Sequence, residues 1–104
     1  VRVHLAENGE MAWQRLSRSE LEYDLVISDW LMPRMDGLQL LQKMRQWGSE
    51  TPFMMLTVKV TGEAVAAAKE AGVTLYVAKP FTYGDFSKKI SALAKQIIEN
   101  KAAA

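Results

Sequence analysis

The sequence contains no cysteine, a single histidine and almost no net charge, and each shortage excludes a class of function. Without cysteine there are no disulfides and no thiolate metal sites, which fits a reducing compartment. His4 stands alone, so a histidine-rich metal site is impossible. A net charge of +1 gives no strong field that would attract nucleic acid or a membrane surface. We therefore expect no direct binding to nucleic acid.

Long apolar runs are also missing. No stretch approaches the ~20 apolar residues that a membrane-spanning helix needs, and no secretory signal peptide is visible. We therefore expect a cytoplasmic protein with no membrane attachment. The length of 104 residues, with 49% hydrophobic and 24% charged residues, is typical of one globular domain. We assign residues 1–100 to this domain and residues 101–104 to a tail.

Hydrophobic periodicity predicts strands that alternate with helices. Val1, Val3 and Leu5 alternate with polar residues, as in a half-buried strand. The continuous apolar run at 25–27 is typical of a strand covered on both faces, and the segments 53–57 and 73–78 are predicted as two further buried strands. Helical spacing of apolar residues follows each of the four segments. This βα-βα-βα-βα order predicts an α/β fold with a parallel sheet.

Capping residues mark the predicted helix ends. Asn8 and Thr61 precede helices as N-caps, and Thr82 begins a weaker capping box. Gly48 and Gly72 stand where helices should end.

Three chemically distinct side chains lie at the ends of the buried strands. Asp29, Thr57 and Lys79 end or directly follow them, and parallel strands bring such ends to one rim of the sheet. A carboxylate nucleophile, a hydroxyl donor and an ammonium group suit phosphoryl transfer to the carboxylate. Taken singly, the same residues are a turn former, a good strand residue and a solvated loop charge.

At these positions the sequence resembles the CheY-like response-regulator receiver domain of bacterial two-component signalling. The resemblance covers the chain from Val1 to about Ile98. Its motifs are Asp29 with the M-P-x-M-D-G loop at 32–37, Leu56-Thr57, and K-P-F at 79–81, where the Lys-Pro peptide is usually cis in the family.

The resemblance implies a flavodoxin-like fold and a phosphorylation-dependent switch. A histidine kinase would phosphorylate Asp29, with Lys79 and Thr57 assisting and Mg²⁺ bound by Asp29 and the backbone carbonyl of Leu31. Thr57 and Tyr76 would then move and change the family's α4-β5-α5 surface, which binds a target or effector domain. The alternative for Tyr76 is a plain strand aromatic. Such a chain is a phosphoacceptor with self-phosphorylation and self-dephosphorylation chemistry rather than a turnover enzyme.

The chain departs from the family at its start. The family's first strand, first helix and the acidic pair that holds Mg²⁺ are absent, which makes Asp29 a poor metal site by itself. In the family's 2-1-3-4-5 order that strand is central, so we expect a gap in the sheet. Three explanations stay open: the sequence omits residues that the protein has, it is a deliberate fragment or an engineered rearrangement in which the second strand is re-paired or a second chain fills the gap, or it is a degenerate natural receiver. A dimer or a strand swap is therefore a further expectation.

Two residues near the rim leave alternatives open. Lys59 could pair with a phosphoryl oxygen or face solvent. Leu31 offers no polar group to orient a hydrolytic water, which predicts slow dephosphorylation.

A phosphorylation-independent interaction module or a disabled fragment is the competing function. A nucleotide-binding or flavin-binding domain is disfavoured because no G-x-G-x-x-G or P-loop spacing occurs.

Overall fold

The computed structural model describes residues 2–18 and 23–103, in which strands and helices alternate as predicted. The elements are β1 (Val3–Ala6), α1 (Gly9–Arg18), β2 (Leu25–Asp29), α2 (Gly37–Trp47), β3 (Phe53–Thr57), α3 (Gly62–Ala71), β4 (Leu75–Ala78) and α4 (Tyr83–Ala103). Val1, which was expected to begin the first strand, lies outside the described residues. The last helix continues through Lys101, so no break in structure marks the tail that we assigned from residue 101.

The strands form one parallel sheet in the order β1-β2-β3-β4. Here the expected gap is a wrong prediction, because β1 pairs directly with β2, from Val3 beside Leu25 to Ala6 beside Ser28. The strand that resembles the family's second strand is thus re-paired with the strand that resembles its third. The physical reason is that direct pairing satisfies backbone groups that a gap would leave without partners.

Helices cover the two faces of the sheet unequally. On one face α1, α2 and α3 pack through Ala12, Leu40 and Ala68 against β2 and β3. On the other face α4 packs alone, through Leu93 and Ile97. The strand residues beneath α4 are fully or almost fully buried: Leu25, Ile27, Met54 and Val77. Two buried layers on the middle strands account for their continuous apolar runs.

The prediction that the apolar side of β1 is buried is also wrong. Val3 is 40% exposed and Leu5 is 66% exposed. They share a face with Leu25 and Ile27, their partners on β2, but α4 buries only those partners. The alternation correctly predicted a strand, but the element that would cover its apolar side does not lie among the described residues.

The predicted helix ends are confirmed. The Asn8 side chain accepts from the backbone N–H groups of Glu10 and Met11 at 3.0 and 3.2 Å. Thr61 caps α3 in the same way, and Gly48 ends α2 in the left-handed conformation. These caps fix where each helix begins or ends relative to the sheet.

Candidate functional site

Asp29 and Lys79 meet at the carboxyl end of the sheet. Asp29 is the last residue of β2, and Lys79 directly follows β4. The Lys79 ammonium forms an ion pair with Oδ1 of Asp29. That oxygen is buried, yet the Asp29 side chain is 43% exposed. The exposed part is therefore on the side of Oδ2, which leaves this oxygen open to a reaction partner.

Thr57 lies between them on β3 and is 3% exposed. Its backbone carbonyl accepts from the Lys79 N–H at 2.8 Å, which ties the Lys79 backbone to the end of β3. Its hydroxyl oxygen accepts from the Lys59 N–H at 2.9 Å. The structure thus brings the side chains of Asp29 and Lys79 into contact, and it gives the Thr57 hydroxyl a local partner in the following loop.

Tyr76 reaches the same loop from β4. Its hydroxyl donates to the backbone carbonyl of Lys59, and its ring packs edge-on against Trp30 with centroids 6.4 Å apart. Burial raises the pKa of Tyr76, and a hydrogen bond with the Thr57 side chain partly opposes that rise. Tyr76 therefore links β4 to the loop between β3 and α3.

Close packing holds the loop that follows Asp29. The Gly37 N–H donates to the Trp30 carbonyl at 2.7 Å, so α2 begins directly behind Asp29 and Trp30. A Cβ at Gly37 would overlap the carbonyl oxygen of Asp29 and lie 3.0 Å from the Trp30 Cα. The sequence places Gly37 at the end of the M-P-x-M-D-G loop. Its place directly before an apolar helical pattern was the clue to a close backbone approach.

The start of α1 braces the same loop from the other side. Glu10 forms an ion pair with Arg34 at 3.5 Å. Arg34 has a φ of 71°, a backbone conformation that residues other than glycine rarely adopt. A Cβ at Gly9 would lie 2.6 Å from the carbonyl carbon of Met35, so only glycine fits there. Sequence reasoning assigned none of these contacts, because they join segments that are distant in the chain.

The residues present do not fit a complete magnesium site. Residues 2–18 and 23–103 contain no group of three or more acidic or histidine side chains that could hold a metal ion. Mg²⁺ requires nearly octahedral oxygen ligands. Asp29 offers one carboxylate, and the Leu31 carbonyl would be the second protein ligand that the sequence analysis named.

This geometry defines a class of protein. It is a parallel α/β domain that carries a carboxylate, a hydroxyl residue and an ammonium group at its strand ends. The model of the response regulator receiver domain family matches residues 1–91, so the chain belongs to that family. The Lys79-Pro80 peptide is cis, as the resemblance implied.

The sequence relatives include full regulators and a chemotaxis protein. Response regulator RppA of Synechocystis sp. is 36% identical over 94 residues, which cover 90% of this chain and 40% of RppA. Chemotaxis protein CheY1 of Helicobacter pylori is 36% identical over 90 residues, which cover 85% of this chain and 72% of CheY1. The chain thus spans less than half of RppA.

Solved structures share the fold. The receiver domain of the Francisella response regulator 1452 superposes with a TM-score of 0.77 at 27% identity, over 88% of this chain and 74% of that one. Chemotaxis protein CheY4 of Vibrio cholerae gives 0.71 at 28% identity, over 84% of this chain and 72% of that one. These matches confirm the flavodoxin-like, CheY-like architecture.

Family membership carries general properties with it. Receiver domains act in phosphorylation-dependent signalling, interact with histidine kinases and effector domains, and generally bind Mg²⁺. In the part of the chain that the structure describes, no helix has both the length and the apolar character to cross a membrane.

Proposed function

We propose that the chain accepts a phosphoryl group on Asp29 from a phosphohistidine of a histidine kinase. The observation that carries the proposal is the Asp29–Lys79 ion pair on a rim of the sheet that is open to solvent. Family membership favours a histidine kinase as the phosphoryl donor. It also favours the cytoplasm as the location, because the kinase obtains its nucleotide there.

The carboxylate is the nucleophile in this reaction. Oδ2 of Asp29 attacks phosphorus, the P–N bond breaks, and the electron pair remains on the imidazole nitrogen. Lys79 neutralises charge beside Oδ1, and burial of this oxygen strengthens that interaction because the local dielectric constant is low. Hydrolysis of the acyl phosphate later returns the carboxylate.

Tyr76 and Thr57 would pass the change to the output surface. Both contact Lys59 in the loop between β3 and α3. Movement of Thr57 toward a phosphoryl group would shift that loop and alter the α3-β4-α4 surface, which corresponds to the family's α4-β5-α5 surface. We propose that a target protein or an effector domain reads this surface.

The test is the intact mass of the protein after incubation with phosphoramidate or acetyl phosphate in the presence of Mg²⁺. We expect one added phosphoryl group on the parent and none on Asp29→Asn. Asp36→Asn is the matched control, because asparagine also caps helices and the change removes a carboxylate from the same loop. Labelling of Asp29→Asn at the parent's level would refute the assignment of the acceptor.

A phosphorylation-independent interaction module is the second candidate. This candidate is kept because residues 2–18 and 23–103 do not by themselves complete a metal site at Asp29. A folded parent that gains no phosphoryl group from either donor would support this candidate over the first.

We also infer that a second copy of the chain pairs along β1. On this strand the described residues provide a partner on one side only, and Val3 and Leu5 leave apolar surface uncovered. Exposed apolar edge strands favour pairing with another chain. Sedimentation should show association that rises with protein concentration and is lost in Leu5→Lys. A parent that stays monomeric throughout would contradict this inference.

A further inference from the structure

Lys59 is a second cation beside the acceptor residue. Its ammonium lies over the ring of Trp30, 4.8 Å from the ring centroid. Trp30 directly follows Asp29, and consecutive Cα atoms are about 3.8 Å apart. Trp30 itself is only 5% exposed, whereas Lys59 is exposed. The Lys59 head group thus lies on the side chain of the residue that follows Asp29 and is free to move into solvent.

The backbone of Lys59 is held at both of its polar groups. Its N–H donates to Thr57 Oγ1 at 2.9 Å, and its carbonyl accepts from the Tyr76 hydroxyl. The base of the side chain is thus fixed relative to the ends of β3 and β4. Only the flexible stem has to reorient for the ammonium to leave the aromatic face.

Phosphorylation would leave the rim short of positive charge. In the unmodified chain the Asp29 carboxylate is matched by Lys79. A phosphoryl group carries a charge of about −1.5 to −2 and several strong acceptor oxygens. Lys79 balances one of these charges, and the remaining negative charge and acceptor oxygens can bind a further cationic side chain.

We propose that Lys59 is a second phosphoryl-binding cation, whose ammonium leaves the Trp30 ring for a phosphoryl oxygen once Asp29 is modified. This inference rests on the proposed function. The exchange is favourable because a cation–π contact at an exposed site is weaker than a charge-assisted hydrogen bond to a phosphate oxygen. Departure of the ammonium also frees the Trp30 face, against which Tyr76 packs edge-on.

The first experiment compares Lys59→Met with Lys59→Arg and with a matched control. Lys43 also lies over a tryptophan, with its ammonium 5.4 Å from the Trp13 ring centroid, but it belongs to α2, away from the loop at 58–60. With acetyl phosphate as donor, we expect Lys59→Met to lower the rate of phosphoprotein formation by about 3- to 5-fold, the upper range for a partly exposed ion pair. Lys59→Arg should retain most of the rate, and Lys43→Met should match the parent. Equal rates in the parent and Lys59→Met would overturn the proposal.

A second experiment does not require phosphorylation. In Asp29→Asn the acceptor charge is gone, so inorganic phosphate itself serves as the probe. We expect phosphate to shift the indole N–H signal of Trp30 saturably in Asp29→Asn, and to shift it much less in Asp29→Asn/Lys59→Met. If the two proteins respond alike, Lys59 does not bind the phosphoryl group, whether or not Asp29 is the acceptor. If the responses differ while the parent takes up no phosphoryl group, the proposed function fails and the cation site stands.

Discussion

Replacing Gly37 with alanine should destabilise the protein by about 1–3 kcal/mol, the usual cost of forcing an extra methyl group into a packed site. A Cβ there would overlap the Asp29 carbonyl and lie 2.8 Å from the Met55 Sδ. It would also lie 3.0 Å from the Trp30 Cα. Two of these neighbours are backbone groups, so a side-chain rotation cannot relieve the overlap.

Gly62 offers a matched control. Like Gly37, it directly follows an N-cap and is the first residue of its helix, but a Cβ there would have no other atom within 4 Å. Gly62→Ala should therefore stabilise the protein by about 0.4–1 kcal/mol, because alanine restricts the unfolded chain. The two substitutions are chemically identical and should have opposite signs.

Urea unfolding followed by circular dichroism measures the contrast. With a denaturant slope of roughly 1–3 kcal/mol/M for a domain of this size, the midpoints of the two variants should differ by about 1 M. A midpoint of Gly37→Ala at or above that of Gly62→Ala would refute the claim that α2 is pressed against the backbone of the acceptor strand.

Three further predictions concern the rim and two ionisable groups. Leu31 is 66% exposed, and Leu31→Asn should shorten the lifetime of phosphorylated Asp29 because an amide can orient the attacking water; a longer lifetime would contradict this reasoning. Burial raises the pKa of Tyr76 above its usual value of 10. The contribution of Tyr76 to the free energy of unfolding is therefore complete below pH 10 and is lost as pH rises through the higher pKa of the folded state. Urea melts on either side of pH 10 should show a steeper loss of stability in the parent than in Tyr76→Phe. A hydrogen bond from Lys101 and another from the Arg2 backbone N–H lower the pKa of Asp24 below its usual 3.8. The contribution of Asp24 to the free energy of unfolding is therefore complete above pH 3.8 and disappears as pH falls through the pKa of the folded state. The stability advantage of the parent over Asp24→Asn should shrink over that range, and a constant difference would argue against the ion pair.

Local features of the structure could be predicted from the sequence. Caps such as Asn8 and Thr61 depend on hydrogen bonds to residues two or three positions away, so the sequence pattern contains the whole interaction. The strand ends at Asp29 and Thr57 were predictable because apolar runs define strands and parallel strands share a rim. The ion pair of Asp29 with Lys79 follows from that topology.

Other features depend on contacts between distant segments and could not be predicted. Alternation showed that β1 is a strand, but nothing in the pattern shows that Leu5 lacks a covering helix. The position of Lys59 over Trp30 depends on how two loops meet, and a single charged residue after a strand carries no such information. The contact of Gly9 with Met35 likewise appears only when α1 is placed beside the acceptor loop.

The unequal cover of the sheet affects how long the loop behind Asp29 stays ordered. Residues 2–18 pair with the sheet along one strand and leave one side of β1 uncovered, so this segment should open at a lower free-energy cost than global unfolding. Each opening withdraws Gly9 from Met35 and breaks the Glu10–Arg34 pair, which releases the loop behind Asp29. The opening rate of the N-terminal segment, which hydrogen exchange can measure, thus limits how long the acceptor loop stays ordered.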